Sequence, residues 1–121
     1  MAHILIVDDS PTETHILTSI LEKNGFQVSA VENAQDVVSH VQAIMPDAVL
    51  MDVVMPGVSG FQATRKLSKD PSTSSIPVIL VTTKDQDTDR IWGMRQGARD
   101  YIVKPVDEAE LLTKIRAVLG G

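Results

Sequence analysis

The sequence predicts an α/β domain in which a parallel β-sheet is covered by helices on both faces, and three observations carry that expectation. Short strand-sized apolar runs alternate along the chain with segments whose apolar residues recur at helical spacing. Several of the runs are almost continuously Val, Ile and Leu, the composition of parallel strands buried on both faces. Regular alternation of strand and helix, joined by right-handed crossovers, then places the strands side by side and the helices above and below them.

The runs that read as strands cover residues 4–7, 28–31, 48–51, 78–81 and 101–103. The first, third and fourth are the continuously apolar ones and belong at the sheet centre, whereas the second alternates and fits an edge. The first helix opens with Ser10, Pro11 and Glu13, a capping-box spacing with proline at the first helical position, and closes at Asn24 and Gly25. Its expected buried face is Ile16, Leu17, Ile20 and Leu21. A second helix is expected to start at Asn33, to bury Val37, Val38, Val41 and Ile44, and to end before Pro46, which disfavours helix in the residue ahead of it.

The third starts near Ser59, with Gln62 at capping-box spacing and Phe61, Thr64 and Leu67 facing inward, and stops at Asp70 and Pro71. The fourth is expected over residues 87–96 with Gly97 as its C-cap, although Gly93 inside it costs about 1 kcal/mol relative to alanine. Asp107 caps the fifth, whose apolar face is Leu111, Leu112, Ile115, Val118 and Leu119, with Gly120 following. These elements predict a doubly wound (βα)5 sheet in the flavodoxin-like order 2-1-3-4-5, filling residues 1–121 as a single domain.

Composition narrows the function. At 121 residues the chain has the size of one ordinary domain, and 43% hydrophobic with 22% charged residues is enough to build a core and excludes a disordered or collagen-like chain. No apolar run approaches the roughly 20 residues that span a bilayer, and the start lacks the pattern of a signal peptide, so a cytoplasmic protein outside the membrane is expected. Cysteine is absent, which removes disulfides, thiolate metal sites and cysteine nucleophiles together. Sixteen acidic against eleven basic residues, a net charge of −5, argue against nucleic acid as partner and for a cation or a basic protein surface.

In a sheet of this order ligands bind beyond the carboxyl ends of the strands, where the first and third diverge. Asp8 and Asp9 follow the first strand, Asp52 the third, Thr82 and Thr83 end the fourth, and Lys104 with Pro105 follows the fifth, so all fall on one rim. Three carboxylates crowded at neutral pH repel one another, so one holds a proton or a cation neutralises them. All-oxygen donors without His or Cys favour a hard ion, and Mg2+ suits Asp8, Asp9, Asp52 and the backbone carbonyl of Val54. With an ammonium and a hydroxyl converging, the set is equipped for phosphoryl transfer: Asp52 as nucleophile giving an acyl phosphate, Lys104 and Thr82 contacting its oxygens.

At these residues the sequence resembles the receiver domain of bacterial two-component response regulators, through LIVDD at 5–9, LMDVVMPGVSG at 50–60, VTT at 81–83 and DYIVKP at 100–105. The resemblance covers the full length. It implies a CheY-like fold in which Asp52 accepts phosphate from a histidine kinase, Asp8 and Asp9 bind magnesium, and Lys104 contacts the phosphoryl group. It also implies that Thr82 and Tyr101 couple the site to conformation, that the bond before Pro105 is cis, and that the domain is a phosphoacceptor assisting its own phosphorylation and dephosphorylation rather than an enzyme. Within the family, MAHILIVDDSPTET, SGFQATRKL, IPVILVTTKDQ, RQGARDY and KPVDE are similar to stand-alone regulators of twitching motility driven by type IV pili. That likeness implies a chemosensory-type histidine kinase and a downstream motility protein as partners, or a phosphate-sink role, in a monomer or weak dimer. The chain ends about two residues past the fifth helix, so output is expected through partners rather than an attached domain.

Taken singly these residues are ordinary. An Asp pair after a strand usually caps a helix, Met55-Pro56-Gly57 fits a tight turn, a lone lysine is usually solvated, and His3, His15 and His40 share no ligand spacing. Their conjunction at the strand ends is what points to a site. An Asp-nucleophile phosphatase of the haloacid-dehalogenase kind wants a second aspartate where Val54 stands, and a flavin binder wants a glycine-rich loop where Asp8 and Asp9 stand. The expected switch is a population shift: phosphoryl on Asp52 draws Thr82 in and Tyr101 fills the space from a more exposed position. Trp92 and Met94 lie on the fourth helix, which in receivers commonly forms part of the signalling face.

Overall fold

The structure is a computed structural model and describes residues 2–120. Its elements alternate as β1 (His3–Val7), α1 (Pro11–Lys23), β2 (Gln27–Val31), α2 (Val37–Ile44), β3 (Ala48–Met51), α3 (Gly60–Lys69), β4 (Val78–Thr82), α4 (Asp87–Arg95), β5 (Asp100–Val103) and α5 (Glu108–Val118). The strands are parallel, in the order β2-β1-β3-β4-β5, which is the expected topology.

The continuous apolar runs are explained by the two layers they feed. Leu5, Val7, Val49, Met51 and Leu80 join Val37, Val41, Ala63 and Leu67 of α2 and α3 on one face. Ile4, Ile6, Leu50, Ile79 and Ile102 join Leu17, Leu21, Leu111 and Ile115 of α1 and α5 on the other. Alternate strand residues point to opposite faces, so a strand covered on both has no polar position to offer.

Local chemistry sets the helix ends. Ser10 accepts from the Glu13 amide at 3.2 Å, Asp107 accepts from that of Glu110 at 2.9 Å, and Ser59 and Gln62 form a complete capping box. Two expectations need correction. Helix α2 begins at Val37 rather than Asn33, because the Asn33 carboxamide accepts from the Gln35 amide at 3.0 Å and Asp36 takes a left-handed backbone at φ 56°, a turn that competes with helix. Ile16 lies 42% exposed at the edge of the α1 stripe instead of in the core.

Gly93 lies inside α4 as expected, and it has a packing role besides its cost in helix propensity. A Cβ there would stand 2.5 Å from Leu80 Cδ1, so its absence lets the helix lie close to the sheet. Several strands run one residue longer than expected, and α4 ends at Arg95 with Gln96 as its cap and Gly97 following at φ 109°.

Candidate acidic site at the carboxyl edge of the sheet

The sheet register brings the polar residues together. Val7 is level with Met51, Met51 with Leu80, and Thr82 with Val103. The ladder runs on into the rim, where the Asp8 amide donates to Val31 O at 3.1 Å, that of Asp52 to Val7 O at 2.9 Å and that of Lys104 to Thr82 O at 2.8 Å. Backbone hydrogen bonds thus fix the Cα positions of the central residues before any side chain interacts.

Carboxylate oxygens of Asp8, Asp9 and Asp52 lie within 4.8 Å of one another, with Asp8 and Asp52 buried and Asp9 exposed. Lys104 Nζ stands 3.3 Å from Asp8 Oδ2 and 3.6 Å from Asp52 Oδ1. Asp8 Oδ1 accepts from the Ser10 amide at 2.9 Å, and Asp52 Oδ1 from the Val53 amide at 2.9 Å. Burial pushes the Asp52 carboxyl above its ordinary value, against the opposing pull of Lys104, and the Asp8 charge adds to the rise. One ammonium faces three carboxylates, so the cluster remains under-neutralised.

That imbalance and the oxygen-only donor set fit a divalent hard cation. The candidate ligands among the side chains are Asp8, Asp9 and Asp52. In the loop after β3, Val53 and Met55 are buried in the apolar layer while Val54 between them is 58% exposed. Gly60 underlies the loop, its amide donating to Val53 O at 2.9 Å. A Cβ on Gly60 would overlap the Asp52 carbonyl, so this glycine permits α3 to start directly beneath the acid. The sequence reading missed it; the signal available was a glycine in the first turn of a well-capped helix, where no turn geometry calls for one.

Thr82 is fully buried, and its hydroxyl accepts from the Lys84 amide at 3.2 Å. Tyr101 departs from the expected exposed starting point. Its ring is 2% exposed and its hydroxyl donates to Lys84 O at 2.8 Å. Burial, reinforced by the Asp89 charge, pushes the phenol above its ordinary value. The Lys104–Pro105 bond is cis. Of the histidines, His15 and His40 are exposed on α1 and α2, and His3 Nε2 lies 2.7 Å from Ser29 Oγ, so none joins the acidic group.

A match to the response regulator receiver domain family covers residues 4–116. The chain is a response regulator receiver domain. It is 64% identical to the protein PilH of Pseudomonas aeruginosa over 121 residues, which is 100% of both chains. Of other response regulators that it matches, it spans 26% to 51% of the length.

Among solved structures, it superposes with TM-score 0.90 on the receiver domain of the P. aeruginosa sensor histidine kinase PA1611, at 28% identity over 99% of this chain and 98% of that one. That domain carries a magnesium ion in its active site cleft. Vibrio cholerae CheY4 superposes equally well, TM-score 0.90, at 25% identity over 98% of both chains. Receiver domains are two-component signalling domains, not enzymes turning over an external substrate, and they bind Mg2+ in an acidic pocket. No helix among the described residues is long and apolar enough to cross a membrane.

Proposed function

We propose that the receiver domain accepts a phosphoryl group on Asp52 from a histidine kinase and uses it to change the face it presents to a partner. The carrying observation is the environment of Asp52: a buried carboxylate at a strand end, with Lys104 Nζ at 3.6 Å and two further carboxylates against it. Ionised Asp52 attacks the phosphorus of a phosphohistidine, an O–P bond forms as the N–P bond breaks, and the imidazole leaves with the electron pair. Lys104 meets the negative phosphoryl oxygens and is drawn from its contacts with Asp8 and Asp52, and the Thr82 hydroxyl donates to another oxygen. Asp8, Asp9, Asp52 and the Val54 carbonyl would hold Mg2+, which supplies further neutralisation of phosphoryl charge. Loss of the group is the attack of water on phosphorus, releasing inorganic phosphate and restoring the carboxylate.

The 64% sequence identity to PilH across the full length supports a place in a chemosensory pathway of twitching motility, in the cytoplasm, with a chemosensory-type kinase upstream and a motility protein or a phosphate-sink role downstream. The whole chain would act as one such unit. Intact mass after incubation with acetyl phosphate and magnesium tests the acceptor: the chain gains one phosphoryl group, and Asp52→Asn gains none. Equal labelling of the two proteins would refute the assignment.

A further inference from the structure

Tyr101 is the chain's single tyrosine, and the contacts that place it come from outside the acidic cluster. Its hydroxyl is held by Lys84 O at 2.8 Å, in the loop before α4. The Arg90 guanidinium on α4 covers the ring, with its central carbon 5.8 Å from the ring centroid, inside the range of cation–π attraction. Gly93, one turn further along α4, provides the room: a Cβ there would approach Tyr101 Cε2 to 3.4 Å as well as striking Leu80. Among the described residues no salt bridge engages Arg90, so the ring is the charged group's specific contact. Arginine is found over aromatic faces more often than lysine, its delocalised guanidinium being the more weakly hydrated cation.

We infer that Arg90 is a positioning residue that holds Tyr101 inward independently of Asp52, and so sets how far this receiver is poised toward its switched form before phosphorylation. The consequence for signalling rests on the function proposed above; the placement of the ring does not. A guanidinium on the solvent side of the ring favours the buried rotamer because only there does it find the ring face, and Lys84 O then receives the hydroxyl. The switch is biased by an α4 side chain, and phosphorylation acts on a population already displaced.

The single tyrosine makes the test direct. With 3-fluorotyrosine incorporated and no phosphodonor or magnesium present, the wild-type 19F spectrum is expected to show a dominant resonance protected from a soluble paramagnetic agent. In Arg90→Gln the solvent-accessible population is expected to rise about two- to five-fold, the range for an exposed cation–π contact, with a smaller rise in Arg90→Lys. An accessible ring in wild type, an unchanged spectrum in Arg90→Gln, or an equal change in Arg90→Lys overturns the inference. Absence of phosphoryl on Asp52 would overturn the proposed function and leave this spectrum as it is.

Discussion

Asp52 is placed where a carboxylate is most uncomfortable, and that discomfort is measurable. Burial and the Asp8 charge raise its affinity for a proton above that of an unfolded aspartate, with Lys104 opposing. Between the unfolded and folded pKa values the native state binds more protons, so stability falls as pH rises through that window and the cost is fully present above the folded pKa. Urea denaturation in a metal chelator is expected to show Asp52→Asn more stable than wild type at neutral pH, with the difference shrinking as pH falls through the window. Val54 is the second residue with a testable consequence. It is exposed beside the site and has no side-chain hydrogen-bonding group, so it cannot orient an attacking water. Val54→Asn is expected to shorten the life of the phosphorylated form several-fold, read from the decay of phosphorylated protein by intact mass; slower decay would contradict this.

At this scale the acids and Lys104 were legible because parallel strands end on one rim, so position along the chain translated into position in space. The inward Tyr101 was not. The room beside Gly93 and the guanidinium of Arg90 over the ring come from a neighbouring element, and neither residue carries a motif.

The elements show the same division between local and long-range information. Helices α1, α3 and α5 have legible starts because Ser10, Ser59 and Asp107 cap through their own neighbours. Helix α2 lacks such a cap. Asn33 could have been one by type, but it closes a turn onto Gln35 instead, and the helix waits for Val37. Gly93 is the clearest case of packing overruling propensity. Alanine is the better helix former by about 1 kcal/mol, yet a Cβ at that position would meet Leu80. Gly93→Ala is therefore expected to destabilise the domain by about 1–3 kcal/mol, the usual range for an overpacked core, as measured by urea unfolding. A gain in stability would show that α4 can move off the sheet freely.

Across the whole molecule, the strand order expected from alternating strand and helix patterns is the one observed, and it brings β1 and β3 side by side with their terminal aspartates close together. What the pattern could not convey is the balance of charge within the cluster, which depends on a single Lys104 reaching two acids at once. If the proposed function holds, Asp52 receives the phosphoryl group, and does so with a divalent cation held at the acidic cluster. Borohydride converts an aspartyl phosphate to homoserine, which marks the residue permanently. After treatment with acetyl phosphate and magnesium, peptide mass mapping is expected to find homoserine at position 52, and none when the metal is chelated beforehand. Homoserine at another aspartate, or undiminished conversion at 52 without the metal, would contradict the account.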